Sequence, residues 1–236
     1  MNNIEKTFTN LGGQFCTDVE TLKKKLSVVK AFIFDWDGVF NDGTKNEHGS
    51  SSFNEPDSMG INMLRFNAWL LHKDLPLAVI ISGEHNSVSF QYAKRERFHA
   101  VYFKAANKKQ ALDHLLTQHK LSIEEIAFVY DDILDLSLAQ LCGVRILVNR
   151  PANPLFKNYV IQHKLADYIT ANSSGNFPLR EACELMIGLS GDYNTTIKHR
   201  IDFSESYQGY LNDRQNVTTN FFTNQEGVMG SVDVKN

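Results

Sequence analysis

Apolar residues in this chain gather in short unbroken runs rather than in alternation. "KAFIFD" (30–35), "LPLAVIIS" (75–82), "IAFVYDD" (126–132) and "VRILVN" (144–149) are the clearest. Runs of this length and kind predict strands buried on both faces of a parallel sheet. The shorter "HAVYF" (99–103) and "ADYIT" (166–170) read the same way. Between them the spacing changes to that of helices, as in Ile61, Leu64, Ala68 and Leu71 within 57–73. Further helices are predicted over 18–29, 85–98, 107–120, 136–143, 156–164 and 178–190. Ser122 followed by Glu125 reads as a capping box, and Gly143 closes the helix before it. Strand and helix alternate, which predicts an α/β fold: a doubly wound parallel sheet with helices on both faces.

Two segments break the alternation. Residues 41–53 carry the turn signals Asp42-Gly43 and His48-Gly49 with polar residues between, and predict a β-hairpin flap. After Ser190 the chain becomes polar and rich in Asn, with Tyr193, Phe203, Tyr207, Tyr210, Phe221 and Phe222 scattered through it. The expectation is one domain over 1–190 and a C-terminal extension over 191–236, partly helical or disordered, whose aromatics anchor it to another surface.

Composition narrows the function. The 236 residues carry 24 Lys and Arg against 27 Asp and Glu, a formal net charge of −3. That disfavours a nucleic-acid partner held by a general basic field, but leaves room for a small anionic substrate. Cys16, Cys142 and Cys183 are too few and too scattered for a disulfide framework or a zinc site, and read as reduced packing residues. The first ten residues have no apolar core, and no run approaches membrane-spanning length. The expectation is a cytoplasmic protein without a membrane partner.

The candidate chemistry lies at the strand ends, where ligands bind in sheets of this kind. The first strand ends in Asp35 and Asp37, the second in Ser82 and Gly83. Lys108 and Lys109 open the helix after the third, and the fourth ends in Asp131 and Asp132 with Asp135 one turn on. Clustered carboxylates repel unless a cation sits among them. Hard oxygen ligands favour Mg²⁺, which accepts a phosphate oxygen. An ionised aspartate beside it can attack phosphorus, and a second acid can serve the leaving oxygen and then water. A hydroxyl and a lysine would hold the phosphoryl oxygens. Taken singly, Ser82 reads as a loop hydroxyl, Lys108 as a solvated charge and Asp131-Asp132 as a helix cap; the case rests on their joint order.

In that order "DWDGV" (35–39), "ISG" (81–83), "NKKQAL" (107–112) and "YDDILD" (130–135) resemble the four motifs of the haloacid dehalogenase superfamily of phosphatases. "DWDGVFNDG", "FNEPDSMGINML" (53–64) and "SSGNFPLREACELM" (173–186) are similar to its 3-deoxy-D-manno-octulosonate 8-phosphate phosphatases. The resemblance covers residues 10 to 190. It implies a Rossmann-like fold and Mg²⁺-dependent hydrolysis of a small sugar-acid phosphate through an aspartyl-phosphate intermediate. It makes Asp35 nucleophile and metal ligand, and Asp37 acid/base with its carbonyl on the metal. Ser82, Gly83 and Lys108 become phosphate contacts, Asp131 the remaining metal ligand, and Asp132 and Asp135 supporting acids. It also implies a homotetramer in which flap hairpins assemble and neighbours help close the site.

Spacing adds that the intervals from Asp37 to Ser82 and from Lys108 to Asp131 have no room for a cap domain. Three departures stand out: Tyr130 where relatives carry Gly, and Glu84 and Pro56 where they often carry Arg. Lys104 and Arg180 are the expected replacement cations for an acidic sugar. Alternatives are a phosphatase of another sugar phosphate, a silent homologue serving as a scaffold, or, less well matched in strand order, a receiver domain.

Overall fold

The computed structural model describes residues 3–225 and 227–234. Its strands are β1 (Gln14–Phe15), β2 (Ala31–Phe34), β3 (Leu77–Ile81), β4 (Ala100–Phe103), β5 (Ile126–Tyr130), β6 (Val144–Asn149), β7 (Tyr168–Ser173), β8 (Asn220–Gln225) and β9 (Val228–Ser231). They form one nine-stranded sheet in the order β1-β7-β6-β5-β2-β3-β4-β8-β9. β2 pairs in parallel with both β3 and β5, so the strand order reverses at β2/β5. Only the edge strands β1 and β9 run antiparallel.

The helices are α1 (Asn3–Leu11), α2 (Val19–Leu26), α3 (Glu55–His72), α4 (Ser87–Arg95), α5 (Lys108–His119), α6 (Leu136–Ala139), α7 (Pro154–Gln162), α8 (Pro178–Ser190), α9 (Tyr193–Ile201) and α10 (Glu205–Gln215). Side chains alternate across a strand. Phe32 and Phe34 of β2 enter one core with α2, α3, α4, α8 and α10, while Ala31 and Ile33 enter the other with α5, α6 and α7. No described helix is long and apolar enough to cross a membrane. Between β2 and β3 stand only a loop and α3, and between β4 and β5 only α5 and short turns, so neither interval, among the described residues, holds a cap domain.

The expected hairpin over 41–53 is a loop. Its backbone makes one tight turn, Asn46 N to Ser50 O and Gly49 N to Asn46 O, with no ladder. Short polar side chains take the amides that a ladder would use. Asn46 Oδ1 accepts from His48 N and Ser50 N, Asp42 Oδ1 from Thr44 N, and Asn41 Oδ1 from Gly38 N and Gly43 N. Such local bonds compete directly with strand pairing.

The C-terminal extension has strands beside its helices. It folds as two helices and two strands, and β8 extends the sheet beside β4. Tyr207 and Tyr210 pack their rings on Phe66 of α3, and the Tyr210 hydroxyl donates to Asn62 O at 3.2 Å. Trp69 Nε1 donates to Asp213 Oδ2 at 2.7 Å, and Arg214 pairs with Glu96 at 2.8 Å. The anchoring surface for the aromatics is this chain's own α3 and β4.

Tyr210 therefore tests the docking. Tyr210→Ala empties a fully buried site and should lower unfolding free energy by about 3–5 kcal/mol. Tyr210→Phe removes only the hydroxyl and should cost about 1 kcal/mol. Urea unfolding curves measure both; near-equal, negligible losses would mean that the extension contributes nothing to the core.

Candidate active site

β2 ends at Phe34, and Asp35 N still donates to Val129 O of β5 at 3.0 Å, which holds Asp35 at the reversal point. The chain then turns sharply, with Val39 N and Phe40 N both on Trp36 O. Gly38 sits in this turn at φ +87°, and a Cβ there would collide with Asp131 Oδ2 and Arg150 Nη2. Glycine is required at that position for two reasons, the positive φ and the close approach of Asp131.

A cavity of about 350 Å³ opens at the ends of β2, β3, β5 and β6, lined among others by Asp35, Asp37, Ser82, Gly83, Lys108 and Asp131. Lys108, in the first turn of α5, lies at its base and is only 2% exposed. Its Nζ donates to Asp35 Oδ1 at 2.6 Å and Asp135 Oδ1 at 2.5 Å. Burial works to lower the lysine pKa, but the two carboxylates outweigh it and hold the ammonium above its ordinary value. Lys109, by contrast, points outward to Asp113.

Asp135 is fully engaged: Oδ1 takes Lys108, and Oδ2 accepts from the amides of Asp131 and Asp132. It ties the lysine to the loop after β5. The Asp132 side chain caps the next turn through Ile133 N at 2.7 Å. Ser82, 2% exposed, accepts Glu84 N on its Oγ, and its backbone is fixed by Tyr102 O and Ala105 N.

Asp35, Asp131 and Asp135 bring carboxylate oxygens within 4.8 Å of one another. Burial, then Asp135, push Asp35 up to about 6 against the pull of Lys108. Burial, then Asp35 and Asp135, push Asp131 up to about 9, with Arg150 opposing. Burial is the larger cause in both, and the neighbouring carboxylates add to it, so the site favours a positive charge beside them. The donor set is all oxygen, which suits a hard divalent cation. Because Asp135 is spent on Lys108 and the two amides, Asp35 and Asp131 are the carboxylates that would face it.

Several residues at the site are not among those the sequence pattern singles out. Arg150 lines the cavity, and its Nε lies 2.9 Å from Asp131 Oδ2 and 3.1 Å from Ser174 Oγ. It directly follows β6, so the strand-end rule that found the aspartates applies to it equally. Lys45 pairs with Asp37 Oδ2, and Ser51 donates to Asp37 Oδ1. Both lie in the loop read as a flap, and no spacing rule marks them.

Other expected residues lie elsewhere. Arg180 N donates to Asp57, and its side chain pairs with Glu184 at 2.7 Å, outside the cavity. The salt bridge one turn along α8 holds it there. Lys104 is exposed and takes no part in the lining. Tyr130 points away, donating to Leu165 O at 2.9 Å and stacking on Phe128, because alternation along β5 sends it to the opposite core. Pro56 opens α3 away from the cavity, whereas Glu84 lines it.

No protein-family model matches the chain. The KdsC 3-deoxy-D-manno-octulosonate 8-phosphate phosphatase of Escherichia coli K12 is 28% identical over 171 residues, 71% of this chain and 84% of that protein. Among solved structures, a probable YrbI family phosphatase from Pseudomonas syringae superposes with TM-score 0.64 at 28% identity, over 78% of this chain and 98% of that one. The 3-deoxy-D-manno-octulosonate 8-phosphate phosphatase of Moraxella catarrhalis, solved with magnesium ion, phosphate ion and KDO, shares the fold at TM-score 0.62 and 23% identity, over 79% of this chain and all of that one. Strand order, the acids and lysine at its reversal point, and these likenesses lead to one conclusion: the chain is a phosphatase similar to the KdsC-like enzymes of the haloacid dehalogenase superfamily.

Proposed function

We propose that the chain is a Mg²⁺-dependent phosphomonoesterase acting on a small sugar-acid phosphate such as 3-deoxy-D-manno-octulosonate 8-phosphate. The observation that carries the reading is the buried Lys108 bridging Asp35 and Asp135 at the floor of the cavity. The named substrate comes from the KdsC relative, and Mg²⁺ from the oxygen donors and the Moraxella structure.

In this reading Asp35 attacks phosphorus, the bond from phosphorus to the leaving oxygen breaks, and that oxygen takes a proton from Asp37. Asp37, now ionised, takes a proton from water as the water attacks the aspartyl phosphate, which restores Asp35 and releases phosphate. Lys108 keeps one Asp35 oxygen in place and, with Ser82 and the Gly83 backbone, offsets charge on the phosphoryl oxygens. Asp35, Asp131 and the Asp37 carbonyl would hold the cation, which supplies charge neutralisation for carboxylates and phosphoryl group together. Asp132 and Asp135 support the loop that carries Asp131.

Exposed Leu134 lines the cavity, and exposed Ile133 precedes it in the chain. They support the view that a second copy covers the mouth, as in the expected homotetramer. Three free cysteines are in keeping with a cytoplasmic setting. Glu84 at the rim favours the alternative, a neutral sugar phosphate, because its charge opposes an acidic sugar there.

Asp35→Asn should cut turnover to below about a hundredth of wild type with the fold intact, the scale of loss expected for such a role. Circular dichroism and phosphate release check this, and retained activity would remove Asp35 as nucleophile. Excess chelator should abolish phosphate release and added Mg²⁺ restore it; undiminished activity in chelator would refute the cofactor assignment.

Substrate choice can be read from kcat/KM for 3-deoxy-D-manno-octulosonate 8-phosphate against glucose 6-phosphate. Glu84→Gln should shift that ratio about fivefold toward the acidic sugar, as expected for roughly 1 kcal/mol from a rim charge. Arg180→Ala should leave it unchanged unless a neighbouring copy delivers that arginine. A wild type that prefers glucose 6-phosphate would exclude the acidic sugar as substrate.

A further inference from the structure

The two oxygens of Asp37 are held in unlike ways. Oδ2 meets Lys45, a partly exposed side chain on the loop. Oδ1 meets the hydroxyl of Ser51, a residue only 2% exposed. Ser51 has two other partners. Trp36 Nε1 donates to its Oγ at 3.0 Å, and Asn86 Nδ2 donates at 2.8 Å.

An indole N–H and an amide NH₂ can only donate. The Asn86 amide cannot be reversed, because its Oδ1 already accepts from Val88 N and Ser89 N as the cap of α4. A serine hydroxyl has two lone pairs and one proton. With both lone pairs filled, its proton has one destination, Asp37 Oδ1. Asn86 is fully buried and fixed to the helix that follows the Ser82–Gly83 strand end, so the hydroxyl is aimed by the scaffold rather than by the loop.

We propose that Ser51 is a positioning residue for Asp37: its directed hydroxyl makes Oδ1 a permanent acceptor, so that Oδ2 is the oxygen that gives the proton to the leaving group. The inference rests on the reading of Asp37 as acid/base. Lys45, the other partner, can swing out as substrate enters; Ser51 cannot. Without Ser51 the carboxyl group is free to turn, and its proton can reside on the oxygen that faces away from the substrate.

The chemistry offers a readout that a merely structural role would not move. An alkyl phosphate needs its leaving oxygen protonated, whereas p-nitrophenolate leaves without a proton. The parameter kcat/KM reports steps only through departure of that group, so later hydrolysis of the phosphoenzyme does not enter. The experiment compares kcat/KM for 3-deoxy-D-manno-octulosonate 8-phosphate, or glucose 6-phosphate if that is the better substrate, with kcat/KM for p-nitrophenyl phosphate. It uses the full chain with Mg²⁺, as wild type, Ser51→Ala, Trp36→Phe and Asp37→Asn.

Ser51→Ala should lower the alkyl-to-aryl ratio by about tenfold or more, a fraction of the 10²–10⁴ that a positioned acid supplies. Asp37→Asn should lower it further. Trp36→Phe keeps a ring, removes one donor and frees the hydroxyl to turn; it should lower the ratio by a smaller factor, and it carries the test if Ser51→Ala does not fold. An unchanged ratio in Ser51→Ala and Trp36→Phe, beside a fallen one in Asp37→Asn, overturns the Ser51 inference alone. So does an equal loss on both substrates. An unchanged ratio in Asp37→Asn, or a wild type that hydrolyses neither phosphate, overturns the acid/base reading and the inference with it.

Discussion

Lys108 Nζ, buried between Asp35 and Asp135, is the interaction on which the rest of the site depends. A buried charge is costly unless it is paired and fully hydrogen-bonded, and breaking such a set leaves the remaining charges uncompensated. The three residues come from three places: the end of β2, the start of α5 and the turn after β5. Asp135 also accepts the amides of Asp131 and Asp132, so the same contact fixes the loop that carries the candidate metal ligand. Gly38 then has to be glycine, because the first turn after β2 passes directly over Asp131. Arg150 meets Asp131 from the end of β6 and partly offsets the surplus of acids.

This constraint explains why the sheet is built as it is. Four ionisable groups can meet in a dry site only if rigid elements bring them there, and parallel strands on both sides of β2 do so. The C-terminal extension adds support behind them. β8 covers the edge of β4, and α10 rests on α3, so the strand before Lys108 is an inner strand rather than a free edge.

The sheet was legible because its inner strands are continuous apolar runs of strand length bounded by turn residues, the combination that marks a buried strand. Asp35, Asp37, Ser82, Lys108 and Asp131 were legible because chemistry in such a sheet collects at strand ends. Arg150 obeys the same rule, whereas Arg180, the expected cation, has a partner in Glu184 and stays with it. The loop at 41–53 departs from the expected hairpin because turn dipeptides show where a chain reverses, not whether its arms pair. Asn41 and Asn46 spend the backbone amides locally, a choice that depends on side-chain rotamers rather than on sequence spacing. The strand in "NFFTNQ" was hidden because only two of its residues are apolar, while its pairing partner β4 lies over a hundred residues earlier.

The corrected loop changes how the site divides its labour. A flap would be a mobile cover. This segment is a wall: Trp36, Ser51 and Asn86 knit it to the first turn after β2 and to the start of α4, and its polar end meets Asp37. A wall that orients Asp37, the proposed acid/base, is constrained by the chemical step and is poorly placed to adapt to the shape of a sugar. Selection among leaving groups then falls to the other rim, where Glu84 and Leu134 line the cavity and Ile133 stands beside them. Those side chains make none of the buried contacts that fix Asp35, Lys108 and Asp135. Substitution there can retune the substrate without disturbing the charge cluster, and the departures at 56, 84 and 130 divide accordingly. Position 130 belongs to the core, position 56 to the start of a helix, and only position 84 to the surface that a substrate meets.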